Sequence, residues 1–331
     1  MTVAGHLVVS LDFELHWGIR DHTPVDAVRE RLLGVREAIP ALLRLFRERG
    51  IRATWATVGA LCAADRDELE AHLPAVRPRY ADPALDPYAE LPQLGRSEED
   101  DPFHYAPSLV AQIAATPGQE VGTHTFAHVY GLEPGATLEA FVSDLGAANA
   151  ILARRGVTPR AIVFPRNQYG ADHVRALPGL GIVAFRGGGR GWMVQPRAAS
   201  AETRLRRAAR LADSYLPLVG DTVRPRRWPD AAVVDVPASR FWRPHDRRTL
   251  DAWRRARIER SMTHAARTGA DFHLWWHPHN LGLDRPQNLS LLSRILDHFA
   301  RLQRDYGFAS AHMSDRADAV LGAVAVGAPS R

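Results

Sequence analysis

The sequence predicts an α/β barrel of seven strand units, one fewer than the regular eight. Two observations predict it. Short apolar runs alternate with longer amphipathic stretches along nearly the whole chain, the pattern of parallel strands joined by crossover helices. The residues with chemical potential fall at the C-terminal ends of those runs, where a barrel gathers its functional groups.

The expected strands are His6–Glu14, Arg52–Val58, Glu120–Thr123, Ala161–Pro165, Ile182–Arg186, Ala232–Pro237 and Asp271–His277. Helical stretches are expected near Val25–Arg49, Thr137–Arg155, Ala201–Leu216, Thr249–Thr268 and Asn288–Tyr306. In the first of these, Val28, Leu32, Val35, Ile39, Leu42, Leu43 and Phe46 follow the helical period, and Gly50 is placed to end it. From Leu73 to Pro107 the rhythm stops. That stretch is rich in Pro, Asp, Glu and Tyr and reads as a long insertion after the second strand, a lid or a functional loop. The run Arg186-Gly-Gly-Gly-Arg-Gly-Trp192 lacks Gly-x-Gly-x-x-Gly spacing and reads as a tight loop after a strand. The whole chain of 331 residues is read as one domain, with residues 322–331 as a tail.

Composition removes several classes of function. All 42 basic residues are arginine; there is no lysine. Schiff-base chemistry, pyridoxal-phosphate catalysis and a phosphate-binding P-loop all need that lysine, and none is available. The net charge of +5 comes from arginines spread along helical segments, such as Arg204, Arg206, Arg207 and Arg210, so a nucleic-acid partner is not expected. A single cysteine, Cys62, excludes an internal disulfide and a cysteine-rich zinc module. No apolar run is long enough to span a membrane, and the chain enters its first strand with no leader pattern. A cytoplasmic protein is the expectation.

Four strand ends carry the chemistry. In Ser10-Leu-Asp-Phe-Glu-Leu-His-Trp-Gly18, strand alternation sends Asp12 and Glu14 to one face. Two carboxylates in one cleft suit a metal ligand beside a general base, an acid/base pair, or merely a solvated strand end. In Gly122-Thr-His-Thr-Phe-Ala-His128, two histidines lie four apart. On a continuing strand they would be about 13 Å apart. They can share an ion if the strand ends at His124 and a helical turn follows, bringing them to about 6 Å. Two imidazoles plus a carboxylate form a three-ligand site with an open position, as in catalytic zinc centres. In Asp271-Phe-His-Leu-Trp-Trp-His-Pro-His279, a strand ends at His277, which could serve there as a proton donor. In Val163-Phe-Pro-Arg-Asn-Gln168, Arg166 could orient a carboxylate through paired hydrogen bonds.

This order of motifs resembles the polysaccharide deacetylase superfamily, also known as the chitooligosaccharide-deacetylase homology or carbohydrate esterase family 4. The resemblance runs from Leu7 to about Leu321, with the His-Thr-x-x-His pair as its most specific element. It implies a distorted (β/α)7 barrel that uses zinc or a related divalent metal ion to hydrolyse N-acetyl, and sometimes O-acetyl or N-formyl, groups. By resemblance Asp12 is the catalytic base, His124 and His128 are metal ligands, and His277 is the general acid. Arg166 is the arginine that steadies the base, although the usual Arg-x-Pro order is here Pro-Arg-Asn. The family's second first-motif acid is Phe13 in this chain, so Glu14, on the same strand face as Asp12, is inferred to be the carboxylate ligand.

The implied reaction is attack by metal-activated water on an acyl carbonyl, with Asp12 as base and His277 as acid. Trp17, Trp192, His279 and Asn167 are candidate substrate contacts, with Trp275 and Trp276 as further aromatics near the mouth; core packing is the competing role for these tryptophans. The expected substrate is an acylated amino sugar, small or lipid-linked rather than polymeric. The competing readings are a metal-independent hydrolase of a cyclic amide or ureide, and a non-catalytic glycan binder.

Overall fold

A computed structural model describes residues 4–189, 191, 194–213, 220–245 and 250–327. The first strand, β1 (His6–Phe13), has seven of its eight residues buried, as a strand covered on both faces must. Its parallel partners are β2 (Ala53–Thr57) on one side and, on the other, β9 (Phe272–Trp276). The series continues through β3 (Gln119–Thr123), β4 (Ala161–Ile162) and β5 (Ala184–Phe185), each parallel to the one before.

The segment from Val234 to Trp242 closes the ring. Val234, Val236 and Ala238 donate backbone N–H bonds to Val183, Phe185 and Gly187 at 2.8, 2.9 and 3.0 Å. Ser239 and Trp242 then donate to His273 and Trp275 at 2.9 and 2.8 Å. Two short strands, β7 (Val234–Asp235) and β8 (Arg240–Phe241), are therefore one stave that bonds to β5 with its first half and to β9 with its second. That makes seven staves, the distorted barrel expected, and all seven expected strands are present, most with shortened ends and β3 one residue longer at its start.

Two strands lie outside that ring. β6 (Arg226–Arg227) pairs antiparallel with β7. β10 (Ala309–Ala311) pairs with His6–Val8, at the start of β1 where β2 has no partner residue. Small apolar residues, among them Val8, Ala56, Ala161, Ala184 and Val234, fill the narrow interior. Met313 and Ala317 of helix α10 (Met313–Gly327) pack against them.

The expected helix over Val25–Arg49 is two helices, α1 (Val25–Leu33) and α2 (Val35–Glu48), broken at Gly34. A Cβ at Gly34 would run into the backbone of Gly282, so the glycine at the break serves a close chain approach that periodicity does not report. Gly50, at φ 61°, ends α2 as expected. The helices α5 (Leu138–Arg154), α7 (Arg204–Asp213), α8 (Asp251–Thr268) and α9 (Arg285–Tyr306) match the remaining expectations; the stretch after Asp213 lies outside the described residues. Short α3 (Arg66–Ala71), α4 (Pro107–Ala115) and α6 (Ala171–Ala176) were not expected.

The insertion after β2 is ordered by side-chain caps and tyrosines rather than by period. Asp82 and Asp86 cap two 3-10 helices, Pro83–Leu85 and Pro87–Gln93. Tyr88 donates its hydroxyl to Asp144 of α5 at 2.6 Å, and the Tyr80 hydroxyl bonds to the backbone of Tyr130. Phe103 O accepts from His16 N at 3.2 Å, so the insertion reaches the end of β1. No helix among the described residues is long and apolar enough to cross a membrane.

Candidate metal centre and acid–base pair

Sheet register brings the motifs together. Leu11 pairs with Trp276, so Asp12 follows on β1 where His277 follows on β9. Thr57 pairs with both Phe13 and Thr123, and His124 N then bonds to Thr57 O at 2.8 Å. Staves β9, β1 and β3, the last two separated by β2, thus bring side chains from their C-terminal ends to one point.

Beyond the last register pairs the backbone turns sharply. Leu15 (φ 46°), Thr125 (φ 66°) and His128 (φ 57°) all occupy the left-handed region, which costs a non-glycine residue on the order of 1–3 kcal/mol. The expected helical turn after His124 does not form. The chain instead bends through those left-handed residues, and the imidazole centroids of His124 and His128 lie 4.9 Å apart. Asp144 holds the bend from α5, accepting from Phe126 N at 2.6 Å.

Glu14 Oε2 lies 3.3 Å from His124 Nε2 and 3.1 Å from His128 Nε2, with all three side chains buried. His124 Nδ1 bonds to Val163 O at 2.6 Å; a carbonyl only accepts, so Nδ1 carries the proton and Nε2 presents its lone pair to the cluster. Two imidazole nitrogens and a carboxylate oxygen within 4.8 Å fit a zinc-class ion. Gly18 makes room for this ligand, because a Cβ there would fall on the Glu14 carboxyl group. Burial pushes the Glu14 carboxyl up. That rise is opposed first by the charge on His277, and the carboxyl nonetheless stays well below the usual range. Burial lowers His128 to about 4, which keeps its ring neutral.

Asp12 is held differently. Arg186 donates Nη1 to Oδ1 and Nη2 to Oδ2, each at 2.7 Å, a bidentate pair buried at the end of β5. Burial raises the Asp12 carboxyl, but the Arg186 charge and its hydrogen bonds bring it below the ordinary value. Arg186 is itself fixed: it donates to Ser10 Oγ at 3.0 Å and lies 4.1 Å over the Trp275 ring. Ser10 Oγ in turn meets His273 Nε2 at 2.8 Å.

His277 Nε2 stands 3.5 Å from Glu14 Oε1 and 3.8 Å from Asp12 Oδ2, with its side chain 22% exposed. It is stacked on His279, centroids 4.8 Å apart and planes at 13°. The edges of Trp275 and Phe241 frame it at 5.8 Å.

Six expected residues need correction or placement. Arg166 does not touch Asp12; from a left-handed turn at Arg166 and Asn167 its Nη2 binds both carboxylate oxygens of Asp21 at 2.7 and 2.6 Å. Arg186 makes the paired contact with Asp12 that is expected of Arg166. Its position at a strand end was visible, but the following glycines drew the reading toward a loop. Trp17 is 1% exposed and donates its indole N–H to His104 O at 3.0 Å, so it is core and cannot stack on a sugar. Trp276 is likewise buried. His279 is buried behind His277, where burial brings it to about 3, so it backs His277 as a neutral ring. Asn167 is half-buried near Val194 O, and Trp192 lies outside the described residues.

No family model and no curated protein matches the sequence. Solved structures do match. A Mycobacterium smegmatis protein described as a polysaccharide deacetylase superposes with a TM-score of 0.61 at 15% identity, covering 98% of this chain and 93% of its own. PuuE allantoinase gives 0.57 at 13% identity, over 94% of this chain and 88% of that one. A Pseudomonas aeruginosa protein described as a polysaccharide deacetylase gives 0.54 at 13%, over 94% and 89%. The chain has the fold of the polysaccharide deacetylase superfamily.

Proposed function

We propose that this protein is a metal-dependent amidohydrolase that removes an N-acyl group, acetyl first, from an amino-sugar substrate. The observation that carries the reading is the separation of two neighbouring acids into two roles. Glu14 is committed to two imidazole nitrogens, while Asp12, two residues earlier, is committed to a bidentate arginine.

A divalent ion held by Glu14, His124 and His128 supplies Lewis acidity toward a carbonyl oxygen and toward water. The chain's own residues do the proton work. Asp12, ionised and fixed in direction by Arg186, accepts the proton of the water whose oxygen bonds to the acyl carbon. His277 donates a proton to the nitrogen as the C–N bond breaks, which releases an amine rather than an amide anion. Because its Nε2 lies 3.8 Å from Asp12 Oδ2, acid and base flank the same point. The insertion against the end of β1 favours a small or lipid-linked substrate over a polymer.

The test is elemental analysis of wild type and Glu14→Ala, paired with acetate release from N-acetylated amino sugars. One ion at this site, lost in the variant together with activity, supports the proposal. The allantoinase shares the fold, so chelation is the discriminating step. Full activity after chelation moves the assignment to metal-independent hydrolysis of a cyclic amide or ureide.

A further inference from the structure

Two residues beyond Glu14 the chain presents another histidine, His16, to a different set of partners. His16 Nδ1 faces His104 Nε2 at 3.0 Å, and both side chains are buried. The outer nitrogens of both rings are already committed as donors. His16 Nε2 lies 2.9 Å from Thr23 O, a carbonyl that only accepts. His104 Nδ1 lies 2.9 Å from both oxygens of Asp101. Asp101 also receives Gly95 N at 3.0 Å and Phe103 N at 3.2 Å, so it too acts as an acceptor. In their neutral forms the two rings would then point lone pairs at each other. Something positive has to sit between them, either an extra proton or a metal ion.

We infer that His16, His104 and Glu90 form a second binding site for a zinc-class divalent ion, separate from the cluster at Glu14. Their donor atoms lie within 4.8 Å of one another, the only such group besides the first among the described residues. Two imidazoles and one carboxylate give the same ligand chemistry as the barrel site. The outer contacts are those a ligand histidine uses to fix its tautomer, a carboxylate behind His104 and a backbone carbonyl behind His16. Two nitrogens on a tetrahedral zinc are about 3.3 Å apart given Zn–N bonds near 2.05 Å, so the 3.0 Å gap needs to open only slightly. Trp17 holds His104 in place with its N–H on His104 O at 3.0 Å and its ring edge-on at 5.5 Å. An open pocket that includes His16, Glu90, Gln93 and His104 in its lining gives an ion access from solvent. Glu90, Asp101 and His104 all belong to the insertion and His16 to the end of β1, so the ion would staple the insertion to the barrel mouth.

The experiment is titration of metal-free protein with Zn²⁺, read by elemental analysis after desalting, on wild type, Glu14→Ala, His104→Ala, Glu90→Gln and Glu14→Ala/His104→Ala. Two ions in wild type, one in each of the first three variants and none in the double variant are expected. The one ion left in His104→Ala shows that the variant has folded, and Glu90→Gln, at a half-exposed position, tests the site without emptying a buried one. The outcome is separable from the amidohydrolase reading: a single ion lost on His104→Ala but kept in Glu14→Ala supports this site and removes the other. A single ion kept in His104→Ala and lost in Glu14→Ala overturns it and leaves a shared proton between the rings. Two ions unaffected by His104→Ala and Glu90→Gln also overturn it.

Discussion

Arg186 binds both carboxylate oxygens of Asp12 at 2.7 Å, across 174 residues of chain and inside the barrel. The pair fixes the direction of the Asp12 carboxylate and keeps it ionised, as the proposed base role requires. Removing the arginine leaves a buried carboxylate unpaired, which costs about 3–5 kcal/mol of stability. Arg186→Ala should therefore unfold at lower denaturant. Arg186→Lys keeps the charge but loses the fork, and kcat/KM on an N-acetylated amino sugar should fall by about 10²-fold through misplacement of the base. Arg166→Ala, which releases Asp21 instead, should change kcat/KM by only a few-fold. Equal losses from Arg166→Ala and Arg186→Lys would remove the special role of Arg186.

His277 protonates the leaving group in this mechanism, so its importance must depend on that group. For His277→Ala, kcat on an N-acetyl substrate should drop about 10²–10⁴-fold, the usual range for losing a general acid. An aryl acetate, whose phenolate leaves without help, should be hydrolysed nearly as well as by wild type. Metal content should not change. Equal losses on both substrates would exclude the acid role.

Gly18 faces the Glu14 carboxyl so closely that a methyl group cannot be added without moving it. Gly18→Ala should weaken zinc binding at the barrel site by tenfold or more while far-UV circular dichroism is unchanged. An unaltered zinc affinity would show that Glu14 is free to bind from another rotamer.

Asp144 offers a test of stability against pH. Burial raises its carboxyl from 3.8 to about 6, against the lowering pull of bonds from Tyr88 and the Phe126 backbone. The folded state therefore holds this proton more tightly than the unfolded chain. The stabilisation is complete below about pH 4 and is lost as pH rises through 6, amounting to about 3 kcal/mol at 1.36 kcal/mol per unit. Asp144→Asn has no such dependence. Its unfolding free energy should rise relative to wild type by about that amount between pH 4 and pH 7. A difference constant across this range would mean that Asp144 titrates normally.

Some of this was legible in the residues alone. Alternation on β1 put Asp12 and Glu14 on one face, and acid, histidine or arginine clusters at the ends of four strands marked the open end of a barrel. Glu14, His124, His128, Asp12 and His277 were all named from local pattern, because a strand end is a local feature. What periodicity could not see was anything set by distant backbone. The glycine at position 34, where the first helical stretch splits, answers to the Gly282 backbone, and the insertion is tied down by tyrosines that reach Asp144 and Tyr130. The bend between His124 and His128 was expected to be helical, whereas the left-handed turn is held by Asp144 from another element.

The sequence by itself determined the seven-stave α/β class and which residue types reach the mouth, since both follow from hydrophobic period and chain order. Only the tertiary structure decided which arginine meets Asp12. Arg166 and Arg186 both end strands and carry the same group, and nothing local separates them. From a left-handed turn Arg166 binds Asp21, while β5 carries Arg186 inward to Ser10 and Asp12. The partner of a charged side chain is fixed by the three-dimensional path of the backbone, and that path is a property of the whole barrel.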